Sequence, residues 1–502
     1  MITFPNNSSL TEILEKIRPI LPTDNLIFVV GGAVRDALLN RPIHDIDLVL
    51  TGDIRRITRK VADALNSPFY MLDAERDTAR IIVYNGNTKR IFLDFAVMRG
   101  NDLQSDLLAR DFTINAMAVD VHNPLKVIDP LKGANDLQKK LLRPCSPTTF
   151  IDDPVRILRA VRLAAEYELY LLPTTRQLIR HAVNLLPIIS TERKRDELFR
   201  ILDGLQPSAA LQSLDILGVL PYLLPELMQL RGVTQSSPHL TDVWTHTFNV
   251  LSRLISLLNV LNPLTKSENT ANWSLGLVSL RLGRFRTHLE NHFNATLNPN
   301  RSIRALLLFA ALYHDVGKPY TSQIEENGKI SFINHEQIGE QLARERASQL
   351  RLSNQEIERL GLIVRNHMRP LLLGQAGEPP SRRAIYRFFR DCKEAGVDIC
   401  LLSLADTLAT YGSALPQQVW ITQLDTIRVL LEGWWERSNE QIAPLPLING
   451  DDLMQILNLP EGPLIGQLLE DLREMQASGD INNREQAEAY VRERLNKYTR
   501  YN

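Results

Sequence analysis

Two rhythms of apolar positions divide the chain. Over the first ~145 residues, short apolar runs alternate with helix-like stretches. Leu26–Val30 is a β-branched run that ends in Gly31-Gly32, and Asp47–Leu50, Ala79–Tyr84 and Arg90–Val97 have the same strand character. Ala33–Leu39 and Ile54–Leu65 predict helices, and Leu137–Leu142 opens the passage into a different regime. From about Asp152 the 3.6-residue period takes over, with Arg156, Leu158 and Ala160–Ala164 in the first helix. Thr175–Leu185, Glu192–Leu202 and Ala209–Leu217 continue it. Pro221, Pro225 and Ser236-Ser237-Pro238 punctuate the next boundary. Residues 262–303 are polar and in places Asn-rich, which predicts an insertion or long loop before helices resume at Ile303. Ala414–Gln418 and Ala443–Pro446 frame a further change, and the last ~55 residues read as a small helical tail.

Composition narrows the class. At ~100–200 residues per domain, 502 residues correspond to three or four domains, or to fewer large ones. A hydrophobic fraction of 44% supports real cores and argues against long disordered tails. The 57 Lys+Arg against 58 Asp+Glu exclude a highly basic nucleic-acid coat protein, although local patches can still bind nucleic acid. The three cysteines, Cys145, Cys392 and Cys400, form no CxxC pair, so neither a zinc ribbon nor a disulfide framework is supported. The first residues lack a basic segment followed by a long apolar one. The longest apolar stretches, such as Ala305–Tyr313, fall short of the ~18 residues of a membrane span. The expectation is a cytoplasmic protein with no membrane partner.

The stretch FVVGGAVRDALLNRPIHDIDLVL, Phe28 to Leu50, carries the first chemistry. Gly31-Gly32 between strand and helix lets backbone N–H groups approach a phosphate. Asp45 and Asp47 lie two apart on a strand, so both carboxylates share one face. Two hard oxygen ligands suit Mg²⁺ with substrate phosphates, and two such ions can activate a hydroxyl and stabilise leaving pyrophosphate. Each element alone is weak. Together, strand, Gly-Gly, helix and Asp-x-Asp resemble the polymerase-β-type nucleotidyltransferases, and GGAVRDALL with DID is similar to the class II tRNA nucleotidyltransferases and bacterial poly(A) polymerases. The resemblance implies a third carboxylate on an adjacent strand. Asp94 in IFLDFAVMR is the candidate, since apolar Leu93 and Phe95 point to the opposite face.

Further motifs extend the resemblance. LARDFTINAMAVD (Leu108–Asp120) resembles RRDFTINA, with Ala109 in place of the first arginine; it implies sugar and triphosphate roles for Arg110 and Asp111, followed by Asn115. IDDPVRILRAVRLAA (Ile151–Ala165) resembles EDPLRILRAVRFAA, with Asp152 for the glutamate. Read as one helix, Asp153 and Arg156 lie at i and i+3 and face the same way. Asp153 would accept from an exocyclic amino group and Arg156 donate to a ring acceptor, the edge that C and A share. The plainer reading is a surface ion pair worth a few tenths of a kcal/mol. By position in the motifs, Gly31, Gly32, Arg35, Arg159 and Arg162 join the implied nucleotide-binding set. VIDPLKGANDLQKKLLR, TERKRDELFRIL and INGDDLMQILNLPEGPLIGQLL match the family's link, helix and tail. Lys139, Lys140 and Arg143, then Arg193, Lys194 and Arg195, then Arg281, Arg284 and Arg286 offer local clusters for tRNA phosphates.

Between the strand ending at Met98-Arg99 and Asp106, only Gly100–Ser105 intervenes. Family members that add C, C and A carry a longer flexible loop here, and its loss is associated with CC-only addition.

A second resemblance lies further on. His246, His314-Asp315, His335, His367 and Asp406 follow the order H…HD…H…H…D and resemble the HD phosphohydrolase superfamily. A lone histidine is more often a satisfied core group than a ligand, but the whole order is present. It implies one divalent metal of unsettled identity on His246, His314, Asp315 and Asp406, with His335 and His367 holding phosphate or a second metal. Some relatives use such a domain as a phosphatase or 2′,3′-cyclic phosphodiesterase.

The expected architecture is α+β: a nucleotidyltransferase head of mixed sheet and helices (1–145), a helical neck and body (146–235), an HD domain (236–412) and a helical tail that binds tRNA (413–502). The expected activity is tRNA 3′-end addition of CC or CCA from CTP and ATP, with Mg²⁺ at Asp45, Asp47 and Asp94 and no obligate protein partner. The alternatives are a poly(A) polymerase or A-adding enzyme of the same family, and a non-catalytic RNA-binding module.

Overall fold

The computed structural model describes residues 8–43, 45–73, 77–85, 89–124, 126–265, 272–375 and 378–501. The chain divides into two compact units: residues 1–197 with 204–222, and residues 198–203 with 223–502. The expected head and most of the neck and body fall in the first unit; the expected HD domain and tail fall in the second.

The first unit is built on a seven-stranded sheet in the order β3-β4-β5-β2-β1-β6-β7. Its strands are β1 (Ile27–Val30), β2 (Asp45–Leu50), β3 (Phe69–Asp73), β4 (Thr78–Asn85), β5 (Lys89–Val97), β6 (Ala118–Asp120) and β7 (Val127–Ile128). Only β2 and β5 pair in parallel; the neighbouring pairs are antiparallel. One face of the sheet carries Ile27, Val29, Ile46, Leu48, Leu93 and Phe95 into a core shared with helices Gly32–Leu38 and Ile54–Ala64. The period of two then sends Asp45, Asp47 and Asp94 to the other face.

The helices predicted beyond residue 152 form, with shifted ends: Arg156–Glu166, Pro173–Ala182, Thr191–Leu202 and Pro207–Ile216. Two expectations change. Asp153 does not sit on one helix with Arg156: the short helix Thr149–Asp152 ends there, and Asp153 is extended at φ −151°, ψ 94°. The following Pro154 disfavours a helical Asp153. Residues 262–303 are not a long loop. Apart from 266–271, which lie outside the described residues, they form helices Trp273–Leu282 and Arg286–Asn294 and a small hairpin. Val278, Leu282, Phe285, Leu289 and Phe293 are buried at helical spacing, and this sparse stripe outweighs the polar composition.

In the second unit, largely apolar helices such as Ile303–Tyr313 and Ala395–Tyr411 are buried on nearly every side, as expected of core helices. No described helix is long and apolar enough to cross a membrane.

Inside the first unit, a buried polar knot ties the neck helix to the Gly-Gly helix. Arg35 donates to Asn115 Oδ1 at 2.7 Å, to Tyr167 Oη at 2.5 Å and to Asp36 at 2.9 Å. Tyr167 in turn donates to Asp36 at 2.9 Å, and the Arg41 guanidinium lies 4.4 Å from the Tyr167 ring centre. Removing Arg35 takes the donor from buried Asn115 Oδ1 and Tyr167 Oη and the cationic partner from half-buried Asp36. Arg35→Ala is therefore expected to cost about 3 kcal/mol or more, lowering the calorimetric midpoint of the first unit; an unchanged midpoint would contradict the knot's structural role.

Candidate active site and metal centre

Strand register assembles the first site. Asp47 pairs with Asp94 across β2 and β5, and Asp94 pairs with Arg80 across β5 and β4. On its other side Asp47 pairs with Val30, whose chain turns at once into Gly31. Arg80, Asp94, Asp47 and the Gly-Gly turn thus form one row across four strands, with Asp45 two residues before Asp47.

Asp45 and Asp47 are exposed to solvent. Surrounding protein nevertheless pushes the Asp47 carboxyl above its usual range; Arg110 opposes the shift, and Asp94 and Asp45 add to it by like-charge repulsion. Asp45 and Asp47 thus offer accessible oxygens in like-charged surroundings. Bringing a cation there relieves that repulsion, so the donor set fits Mg²⁺. Asp94 is held differently. Arg80 grips both its oxygens, at 2.7 Å each, and stacks over Phe92 with its guanidinium 4.9 Å from the ring centre. Arg80 was not anticipated, because only register puts it there.

Gly31 has φ +78°, and a Cβ added to it would lie 3.1 Å from Asp47 Oδ2 and 3.3 Å from Arg110 Nη1. The glycine therefore supplies both a left-handed turn and clearance between an acidic and a basic group. Gly32 begins the following helix. Buried Asp106 orients Arg110, accepting from its Nε at 3.0 Å, and also accepts from the Arg99 backbone N–H at 3.0 Å. The link Gly100–Ser105 is correspondingly tight: Gly100 takes φ +74°, Asp102 caps the Ser105 N–H, and helix Leu103–Leu108 is already under way.

Asp111 binds Arg159 Nε at 2.6 Å through one oxygen; through the other it accepts from Asn115 at 3.1 Å and from the Phe112 N–H at 2.7 Å. Asn115 thereby connects Asp111 to Arg35, which lies beneath the site and not at its surface. Arg162 also turns away from the row, to Glu197 at 2.8 Å and Glu166 at 3.1 Å. Asp153 and Arg156 come within 4.0 Å across the turn that separates their helices. Arg156 donates to the Ala109 carbonyl at 3.0 Å, the residue that stands where the motif has its first arginine. Asp153 Oδ1 is buried with no hydrogen-bond partner among the described residues.

The basic clusters are largely engaged within the protein. Lys140 pairs with Glu168, Arg143 with Asp136, Arg193 with Asp153, Arg281 with Asp425 and Arg284 with Glu432 and Glu436.

The second unit holds a buried cluster. His246 lies on helix Val243–Val260, His314 and His367 cap the ends of Ile303–Tyr313 and Asn354–Asn366, and His335 opens His335–Gln349. Asp406 lies on Ala395–Tyr411 and accepts from His246 Nε2 at 2.9 Å. The Nδ1 atoms of His314, His335 and His367 each reach the carbonyl three residues back, Ala311, Phe332 and Val364, at 2.7–2.8 Å. A carbonyl only accepts, so Nδ1 carries the hydrogen and each Nε2 keeps its lone pair for a ligand. The buried His314 Nε2 makes no hydrogen bond among the described residues.

Asp315 stands between two groups. Its Oδ2 lies 3.2 Å from His314 and 3.7 Å from His246; its Oδ1 lies 3.5 Å from His335 and 3.9 Å from His367. Both triads are compact enough for one ion each. Burial pushes the Asp315 carboxyl up, but His314, Lys318 and His335 outweigh it and hold it well below the carboxylate range. Burial and the neighbouring histidines lower His367 to about 3. These donors fit borderline divalent ions such as Mn²⁺, Fe²⁺ or Ni²⁺. Two residues outside the predicted set complete the surroundings. Lys318 is 2.7 Å from Asp315 Oδ2, and the His239 ring stands edge-on to His246 at 4.9 Å. Lys318 follows the HD pair by three residues, a signal the sequence does contain; His239 comes from a loop and leaves none.

Comparisons with known proteins match this layout. The family model described as "Poly A polymerase head domain" matches residues 27–143, that of the "Probable RNA and SrmB-binding site of polymerase A" residues 171–230, and that of the "HD domain" residues 279–410. The chain is 32% identical to the CC-adding tRNA nucleotidyltransferase of Thermus thermophilus, covering 92% of each chain. It is 30% identical to the A-adding tRNA nucleotidyltransferase of Deinococcus radiodurans, covering 94% of this chain and 96% of that one. In fold it is similar to a CCA-adding enzyme solved with ATP, at a TM-score of 0.62 and 19% identity, covering 99% of this chain and 100% of that one. It is also similar to the Thermotoga maritima CCA-adding enzyme complexed with tRNA, at a TM-score of 0.56 and 19% identity, covering 97% and 95%. With its carboxylate row, its Gly-Gly turn and its HD domain, the chain belongs to the tRNA nucleotidyltransferase family.

Proposed function

We propose that this protein adds CC to the 3′ end of tRNA from CTP without a nucleic-acid template, and that its histidine cluster is a two-ion phosphohydrolase centre. The observation that carries the first reading is the placement of exposed Asp45 and Asp47 on one strand face, with Asp47 in register with Asp94 and beside Gly31 and Arg110. In the reaction the tRNA 3′ hydroxyl attacks the α-phosphate of CTP and pyrophosphate leaves. Mg²⁺ held by Asp45 and Asp47 would supply charge to the triphosphate and the attacking oxygen. The chain's own residues bind and orient. Arg110, aimed by Asp106, answers phosphate. Gly31 keeps the approach to Asp47 clear. Asp111, oriented by Arg159 and Asn115, accepts from a ribose hydroxyl. The partnerless Asp153 Oδ1 accepts from the cytosine amino group, and Arg156 donates to the ring nitrogen beside it.

The preference for C over A rests on the short link. Switching a base pocket from C to A takes a movable element, and Gly100–Ser105 is instead a glycine turn, a capped serine and the start of a helix.

For the second centre, a cavity of about 760 Å³ beside Asp315 and Asp406 has room for a nucleotide and combines cationic Lys318 and Lys329 with aromatic Phe332 and Tyr411. A terminal or cyclic phosphate of RNA suits that lining.

Two assays test these readings. With tRNA transcripts lacking CCA, ending in C or ending in CC, labelled CTP is expected to enter the first two and labelled ATP none, and Asp47→Ala should reduce incorporation to background. Addition of A to the CC-ended transcript would overturn CC specificity, long A tracts would point to a poly(A) polymerase, and no incorporation would favour an RNA-binding module. In the Asp47→Ala background, which removes a ligand of the first site, elemental analysis after Mn²⁺ equilibration should find about two ions per chain and a loss of both in Asp315→Asn. One ion per chain would contradict the shared carboxylate.

A further inference from the structure

The cation nearest the proposed base reader is not the one its motif suggests. Arg193 Nη2 lies 2.6 Å from Asp153 Oδ2, whereas Arg156 Nε lies 4.0 Å from the same oxygen. Asp153 stands in extended backbone between two helices, so no helix geometry sets its side chain. Its neighbour Asp152 takes a hydrogen bond from Thr148 at 2.9 Å and does not compete for Arg193.

The helix that carries Arg193 is anchored one turn further on. Glu197, one helical turn further on helix Thr191–Leu202, is buried and accepts from Arg162 at 2.8 Å. Residues at i and i+4 share a helix face, so this clamp presents Arg193 toward Asp153. Arg162 also binds Glu166 on its own helix, so one guanidinium is fixed within that helix and across to Glu197. Arg156 binds the carbonyls of Thr149 and Ala109 through Nη1 and Nη2, and its Nε stays toward Asp153.

We infer that Arg193 is the positioning residue for base selection: it pins Asp153 Oδ2, leaves Oδ1 to read the amino group of the incoming base, and keeps Asp153 from collapsing onto Arg156. The inference rests on the reading of Asp153 as the base acceptor. A carboxylate with one oxygen held by a charge-assisted bond has a defined orientation for the other. Without that bond, Asp153 and Arg156 neutralise each other, and the two groups that distinguish cytosine from uracil are lost together. The specificity device therefore extends from Asp153 through Arg193 to the Glu197–Arg162 clamp.

The test is single-nucleotide incorporation into a tRNA ending before CCA, with CTP against UTP, for Arg193→Ala, Arg193→Lys, Asp153→Ala and the double variant. Filter binding of tRNA and circular dichroism accompany each protein. Arg193→Ala is expected to lower the CTP/UTP ratio of kcat/KM roughly tenfold, mainly through KM for CTP. tRNA affinity should stay unchanged, Arg193→Lys should recover part of the ratio, and the double variant should lose no more than Asp153→Ala. Weakened tRNA binding with an unchanged ratio would make Arg193 a phosphate contact and overturn the inference. A ratio lost in Asp153→Ala but kept in Arg193→Ala would overturn it alone, and a ratio kept in Asp153→Ala would overturn the reading of Asp153 beneath it. Should circular dichroism show Arg193→Ala misfolded, the ratio for folded Arg193→Lys decides: a wild-type ratio with wild-type KM for CTP counts against the inference.

Discussion

Like charges set side by side on neighbouring strands are the constraint around which the first unit is arranged. The parallel pairing of β2 and β5 places Asp47 opposite Asp94, with Asp45 on the same face. Unit charges 4 Å apart interact by ~1 kcal/mol in water and ~4 kcal/mol near a protein surface. A row of three carboxylates therefore needs compensation. Arg80 supplies it on one side by gripping Asp94, and Arg110 on the other by opposing the rise at Asp47. The pair Asp45 and Asp47 stays exposed to solvent, which is where a divalent cation and a triphosphate are wanted.

Several arginines around this row are in turn fixed by an acid behind them. Asp106 aims Arg110, Asp111 receives Arg159, and Glu197 fixes Arg162. Arg35 carries the same logic inward, linking Asn115 and Asp111 to Tyr167 of the neck. Rigid side chains of defined direction are what template-free base selection needs, because no nucleic-acid strand is present to do the reading. The second unit uses a related device. Backbone carbonyls hold three histidines by Nδ1, and a single carboxylate faces two histidine pairs with different oxygens.

Much of this was legible in the chain because it depends on local periodicity. The two-residue spacing of Asp45 and Asp47, the alternation around Asp94 and the short link at Gly100–Ser105 all describe the structure as read. The order of histidines and aspartates in the second unit also proved spatially meaningful: His246 lies outside the matched HD segment yet bonds to Asp406. Tertiary pairing was less accessible. Arg80 reaches Asp94 through antiparallel register, and Arg193 reaches Asp153 over 40 residues of sequence. Arg35 and Arg162 sit in motifs that implied nucleotide contact, but burial against Tyr167 and Glu197 makes them supports. Asp153 looked helical because its motif is continuous, and Pro154 breaks that continuity. Residues 262–303 misled through composition: polar surface positions outnumber the apolar stripe that decides the fold.

The most direct measurement is a crystal structure of the protein with CTP and Mg²⁺. The account predicts a cation on Asp45 and Asp47, with the cytosine amino nitrogen about 2.9 Å from Asp153 Oδ1 and Arg193 still on Oδ2. A cytosine edge bound elsewhere, with Asp153 turned away from it, would contradict the account.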